Sequence, residues 1–151
     1  MFRGSNEINM DAKGRMAIPA RYKDALAADC EGCLVVTIDV ADKCLLVYPL
    51  PEWVKKEDEI RVLSTLNATS RRMQRLLIGH ARDLEMDASG RILIPPELRT
   101  FAELEKKVTL VGQGHRLELW NTDNWNKQRD AWLDEEVSEM ELPAELKTLS
   151  L

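Results

Sequence analysis

The sequence is poor in the residues from which catalytic and metal centres are built. It has two histidines, His80 and His115, and three cysteines in 151 residues. It contains no phosphate loop, no His-Glu-x-x-His metal helix and no Gly-x-Ser-x-Gly nucleophile turn. An enzyme is therefore not expected, and no cofactor or metal is predicted. Gly112-Gln113-Gly114 is a turn rather than a dinucleotide fingerprint, and His115 beside it is a strand-end residue. An odd cysteine count makes a poor disulfide framework and suits a reducing compartment. A redox Cys-x-x-Cys opens a helix after a strand, but Cys30-x-x-Cys33 is followed by a strand-like run, Leu34–Ile38. A zinc site needs a second ligand pair, and Cys44, His80 and His115 stand singly. The thiols are expected to be turn and core residues. No apolar run approaches the roughly 20 residues of a membrane span, and Met1–Glu7 lacks the apolar core of a signal peptide. A cytoplasmic location with no membrane partner follows as the expectation.

Net positive charge is also lacking. The formal charge is −5, which argues against nucleic-acid binding until its distribution is considered. Residues 1–25 carry five basic groups (Arg3, Lys13, Arg15, Arg21, Lys23) against three acids, whereas residues 126–151 carry three against seven. Arg71 to Arg82 holds four arginines and no acid. The front of the chain is mildly basic and the negative charge gathers in the tail, a distribution that permits DNA binding.

What the chain does have is itself, twice. Residues 9–19 read NMDAKGRMAIP and residues 85–95 read EMDASGRILIP, with seven of eleven positions identical at an offset of 76. Cys33–Thr37 resembles Val108–Val111. Leu45–Tyr48 resembles Leu117–Trp120, and Trp53 matches Trp125, now at an offset of 72. The first copy is about four residues longer, a difference assigned to its middle loop. Each copy reads as a short strand into Asp-Ala-x-Gly, then a second strand (15–18 or 91–94). A proline-opened helix follows (20–26 or 96–102). Two β segments come next (33–38 and 44–49, or 107–111 and 116–120), and a Trp-bearing helix closes the copy (51–63 or 122–137). Between the copies a helix over 68–81, capped by Asn67, places Met73, Leu76, Leu77 and His80 on one stripe. Arg71, Arg72 and Arg75 lie off that stripe, as a solvated face or as a subunit or DNA contact. Leu142, Leu146, Leu149 and Leu151 in the acidic tail suggest partial helical packing.

The repeated block is a turn with defined chemistry. Asp11 and Asp87 suit the first position of a type I turn. Gly14 and Gly90 supply the left-handed residue of a hairpin bulge. Lys13 or Ser89 sits at the tip, and Arg15 or Arg91 follows on a rigid base. One reading has Asp and Arg pair locally and staple the hairpin. The other has the arginine fork held ready for phosphate or a guanine edge. The two are compatible, since an acid can orient the arginine that makes the contact.

Asp11-x-x-x-Arg15 and Asp87-x-x-x-Arg91, each between a Met and an Ile-Pro, resemble the paired motifs of the MraZ family. So do Met1-Phe2-Arg3-Gly4, Tyr48–Trp53, Arg75–Gly79, Leu110–Gln113 and Leu119-Trp120. The resemblance covers nearly the whole chain, the tail from about Ser138 least. It implies an α+β fold of two tandem swapped-hairpin β modules of the SpoVT-AbrB type, forming one pseudo-symmetric body with flanking helices. Domain 1 is placed at 5–52, connecting helices at 53–80, domain 2 at 81–124, and a C-terminal helix and acidic tail at 125–151. The implied function is a sequence-specific DNA-binding transcriptional regulator, mainly a repressor, of the bacterial division and cell-wall gene cluster. The implied partners are double-stranded DNA carrying direct promoter repeats, and the chain itself in a ring-like homo-oligomer associated with the nucleoid. The DNA-facing candidates are Arg15 and Arg91, then Lys13 and Arg3. Asp11, Gly14, Asp87 and Gly90 shape the hairpins. The alternative is an antitoxin-like interaction module of the same fold, which usually adds a toxin-binding tail.

Overall fold

A computed structural model of the chain describes residues 1–135 and 143–149. The strands are β1 (Ser5–Asn9), β2 (Arg15–Ala17), β3 (Cys33–Ile38), β4 (Leu45–Pro49), β5 (Arg82–Glu85), β6 (Arg91–Leu93), β7 (Lys107–Gly112) and β8 (Leu117–Asn121). The helices are α1 (Ala20–Cys30), α2 (Leu50–Arg61), α3 (Ala68–Leu77), α4 (Pro96–Phe101), α5 (Thr122–Asp134) and α6 (Ala144–Lys147). The six-stranded sheet runs β1-β7-β8-β4-β3-β5, and β2 pairs with β6 in a separate two-stranded ribbon. Each copy thus gives its first strand to the other. β1 pairs with β7 of the second copy, and β5 pairs with β3 of the first.

The registers define a pseudo-twofold axis. Met16 faces Ile92 in the ribbon and Leu46 faces Glu118 in the sheet. In both pairs the facing residues hold the same position in the two copies, so the axis passes through both. The chain is an α+β body of two interleaved β modules, as the family resemblance implies.

Strand alternation builds the layers. Leu34, Val36 and Ile38 point to the same core as Val108, Leu110, Leu117 and Leu119, and the ribbon residues Met16 and Ile92 cover it together with Leu26 and Leu98 of α1 and α4. The opposite parity serves the other face. Val35, Leu46 and Tyr48 pack under Trp53 of α2, and Val111 and Trp120 under Trp125 of α5. Strands buried on both faces read as continuous apolar runs, as β3 and β4 do.

Several local expectations need correction. The first-copy helix continues past residue 26 to Cys30, because the Ala-rich turn 25–28 favours it. It stops where Glu31 and Gly32 turn left-handed, at φ 56° and 75°. Pro96 opens α4 at its first helical position, as expected, but Pro19 and Pro95 do not occupy the first helical turn. Each stands one place earlier, as an extended cap (ψ 142° and 147°) whose carbonyl accepts the first helical N–H groups. The four extra residues of copy one are not all in one loop. Two lie in the α1–β3 stretch, where the offset falls from 76 to 74, and two in the β3–β4 turn, where it reaches 72. The middle helix ends at Leu77 rather than 81. Its Asn67 cap accepts from the backbone of Thr69 and Ser70, and the His80 ring bonds the Leu76 carbonyl. In the tail, Leu146 and Leu149 are exposed, so the described part of it does not pack. Leu142, Leu151 and Val137 lie outside the described residues.

Candidate nucleic-acid interface

Each Asp-Ala-x-Gly-Arg segment forms the same network. The Asp11 amide donates to the Arg15 carbonyl at 2.9 Å, and the Gly14 amide donates to the Asp11 carbonyl at 3.0 Å. Asp11 Oδ1 accepts from the backbone amides of Lys13 and Arg15, both at 2.9 Å, and Oδ2 accepts from Arg15 Nε at 2.8 Å. The second copy repeats this. Asp87 Oδ1 accepts from the Ser89 and Arg91 amides at 2.9 Å, and Oδ2 accepts from Arg91 Nε at 3.0 Å.

Backbone conformation calls for glycine in both turns, and close packing against backbone adds a second reason at Gly14. Gly14 and Gly90 have φ of 92° and 79°, which side chains resist. A Cβ on Gly14 would also lie 2.8 Å from the Ile94 carbonyl oxygen, and one on Gly90 would lie 2.6 Å from Lys23 Cδ. The backbone bonds Ile18 N–H to Gly90 O and Ile94 N–H to Gly14 O tie each turn to the other copy.

The aspartates hold the arginines by Nε alone. Arg15 and Arg91 keep 42% and 47% of their side-chain surface exposed, and their Nη groups have no hydrogen-bond partner among the described residues. The two readings of the pair therefore coexist: the acid staples the turn through backbone amides and orients a guanidinium still able to bind. Both arginines stand on the outer face of the ribbon, whose inner face is Met16 and Ile92. Arg15 faces Leu93 and Arg91 faces Ala17, so the arginines are diagonal neighbours with Cα atoms about 7–8 Å apart. Two forks related by a twofold axis on a narrow antiparallel ribbon suit a groove of duplex DNA.

Backbone hydrogen bonds, from Arg15 and Arg91 first, hold the Asp11 and Asp87 carboxyls below the usual carboxylate range. A depressed pKa stabilises the folded hairpin fully above the ordinary carboxylate value, and this is lost as pH falls through the lowered one. Acid titration of the arginine Nε–H resonances by NMR should show both hairpins unchanged above the usual carboxylate range and freed together below it. Release near neutral pH would contradict the network.

The remaining candidates differ in position. Lys13 is exposed at the first tip and Ser89 at the second. Arg3 lies past the opposite end of β1, a strand about 17 Å long, between that strand and the Phe2–Gly114 bridge. The structure does not bring it to the hairpins. Arg71 donates to the Thr65 carbonyl at 2.6 Å, and α3 makes its main contacts with α2 and β3. Cys30 and Cys44 are buried thiols whose pKa burial pushes up, and Cys33 is half-buried at the start of β3. Among the described residues one cluster has metal-ligand types, Asp39, Cys44 and Glu118. Its members are engaged internally: the Cys44 thiol donates to Asp39, and Glu118 accepts from Trp120 Nε1.

Two basic residues at the hairpins have no counterpart in the hairpin motif itself. Lys23 of α1 packs against Gly90, and Arg99 of α4 packs against Gly14. The offset of 76 that aligns the hairpins also aligns these two cations, and that alignment is the signal by which the sequence exposes them.

The family model described as "MraZ protein, putative antitoxin-like" matches residues 1–76 and again 77–147, so its unit is one copy of the repeat. Proteins named transcriptional regulator MraZ are similar along their entire length. Those of Alkalilimnicola ehrlichii and Thioalkalivibrio sulfidiphilus are 52% identical over 151 residues, and that of Halorhodospira halophila is 49% identical over 152. Each alignment covers 100% of both chains.

Proposed function

Since the chain belongs to the MraZ family, we propose that it regulates transcription by binding DNA through its two Asp-x-x-x-Arg hairpins. The observation that carries this is the matched pair of exposed arginine forks, each held by Nε, on one ribbon about a twofold axis. The reading extends to direct repeats in the promoter ahead of the division and cell-wall gene cluster, with repression as the main outcome. The protein acts by binding rather than catalysis. Its place is the cytoplasm, in association with the nucleoid. No helix among the described residues is long and apolar enough to cross a membrane.

An acidic chain needs help to bind DNA. A net charge of −5 repels phosphate at long range, and one body presents only two hairpins. Assembly into a ring of identical chains would present hairpins at regular intervals and supply the missing affinity. A gel shift on the promoter fragment upstream of the chain's own gene, beside a fragment with its repeats scrambled, tests the reading. Retardation of the first at protein concentrations about 10³-fold below those needed for the second is expected from ordinary specific-to-non-specific ratios. Equal retardation of both would remove the claim of specificity.

A further inference from the structure

We propose that Lys23 and Arg99 are part of the DNA interface, each supplying a phosphate contact beside the hairpin of the opposite copy. This rests on the hairpins being the DNA-binding elements. The interleaved fold makes the arrangement possible. α1 belongs to copy one, yet the stem of Lys23 runs along Gly90, between the tip residue Ser89 and Arg91. α4 belongs to copy two, yet the guanidinium of Arg99 lies under Gly14, between Lys13 and Arg15.

Three observations support the assignment. First, the pseudo-twofold axis relates the two cations to each other. Positive charge is kept at this position in both copies, whereas the adjacent positions change: Arg21 corresponds to Glu97 and Asp24 to Thr100. Second, neither cation has a carboxylate at ion-pair distance among the described residues, while Arg82 is paired with Glu97 and Lys43 with Glu103. Third, the donors of Arg99 are under-used. Its Nε is buried without an acceptor, and Nη1 reaches the Ala12 carbonyl only at 3.5 Å, the limit of a hydrogen bond. A buried donor left unpaired is costly and calls for an explanation. The side chain lines a cleft of about 400 Å³ with Asp11, Ala12, Leu104, Glu105 and Lys106. A phosphate oxygen at the cleft mouth would take up the Nη donors of the guanidinium, of which Nη1 has only the long Ala12 bond, while Nε stays buried behind them.

Each half of the DNA interface is then composite. One copy supplies the arginine that reads, and the other supplies the cation that grips the backbone. The division has a consequence that distinguishes the two roles. A phosphate contact contributes equally on any sequence, whereas a base contact discriminates.

The test uses the full-length protein, a duplex carrying the promoter repeats and an unrelated duplex of equal length, titrated at several salt concentrations. Lys23→Met keeps the apolar stem against Gly90 and removes the charge, and Arg99→Gln removes the guanidinium. Each should weaken binding about tenfold, the scale of a hydrogen bond to a charged group, and by the same factor on both duplexes. The slope of log K against log salt should become shallower by about 0.9 for each phosphate no longer neutralised. Lys23→Arg and Arg99→Lys should restore both. Unchanged affinity and slope in Lys23→Met, with Arg15→Ala still losing its preference for the repeats, would overturn the inference and leave the hairpin reading standing. If the wild type itself shows no preference for the repeats, the hairpin reading fails first. Should Arg99→Gln lower the melting temperature, Lys23→Met decides the matter alone.

Discussion

Arg15→Ala is expected to abolish most specific DNA binding while leaving the protein folded. The folded state should survive because Asp11 Oδ1 is held by the backbone amides of residues 13 and 15, and alanine keeps both. What disappears is the Nε bond to Oδ2 and the unpaired Nη fork. Removing one bidentate base contact costs about 1–3 kcal/mol, or roughly 5- to 150-fold in affinity, at each site engaged. Repetition around an assembly multiplies that effect. Arg91→Ala should weaken binding less, because the second tip offers Ser89 in place of Lys13. Asp11→Ala is the instructive contrast: it removes the acceptor that organises the turn, so it should loosen the hairpin itself. Thermal melts run beside the binding curves separate these outcomes. A large drop in melting temperature for Arg15→Ala would mean that the arginine serves the fold. Normal melting with normal binding would mean that it does not read DNA.

The second large effect concerns the number of repeats. Weak contacts joined in one assembly can gain about 10²–10⁴-fold in affinity with no new contact. If the chain forms a homo-oligomer, repeats spaced near one helical turn, about 10 base pairs, face the same side of the duplex and are bound together. Affinity should then rise steeply from one repeat to two and to three. It should fall back when a spacer is lengthened by half a turn, because one repeat then points away. The same affinity for all four duplexes, or full affinity from a species that light scattering shows to be a monomer, would rule out multivalent binding.

Much of this architecture is legible because the chain repeats itself. The offset of 76 locates both hairpins, and the turn chemistry of Asp, Gly and Arg follows from local rules that need no tertiary information. Strand alternation also shows, from 34, 36 and 38 against 35 and 37, that β3 must bury both faces. The exchange of strands is different. Nothing in residues 5–9 says that their partner is 107–111 rather than 33–36, since pairing across copies or within them buries the same apolar positions. Only the resemblance to a known family suggests it. The end of α1 is hard to read because Ala27, Ala28 and Asp29 follow Leu26, and the stripe Tyr22-Leu26-Cys30 closes on a cysteine that the Cys-x-x-Cys spacing draws into the turn instead. Lys23 and Arg99 escape for a different reason. They lie outside the repeated block, and their proximity to Gly90 and Gly14 is a product of the exchange. The short stretch where the second copy is two residues shorter, between α1 and β3, is likewise hidden by helix residues that align with nothing.

That the two ribbon hairpins, and not another surface, meet the DNA is tested most directly by site-specific photo-crosslinking. A photoreactive side chain is placed in turn at position 13, 89, 3 or 72 of the full-length protein, and each variant is irradiated with a labelled duplex bearing two direct repeats. Strong crosslinks are expected from positions 13 and 89, at the two tips, with little from position 3 at the far end of β1 or position 72 on α3. Crosslinks chiefly from position 72 or position 3, with both tips silent, would contradict a hairpin interface.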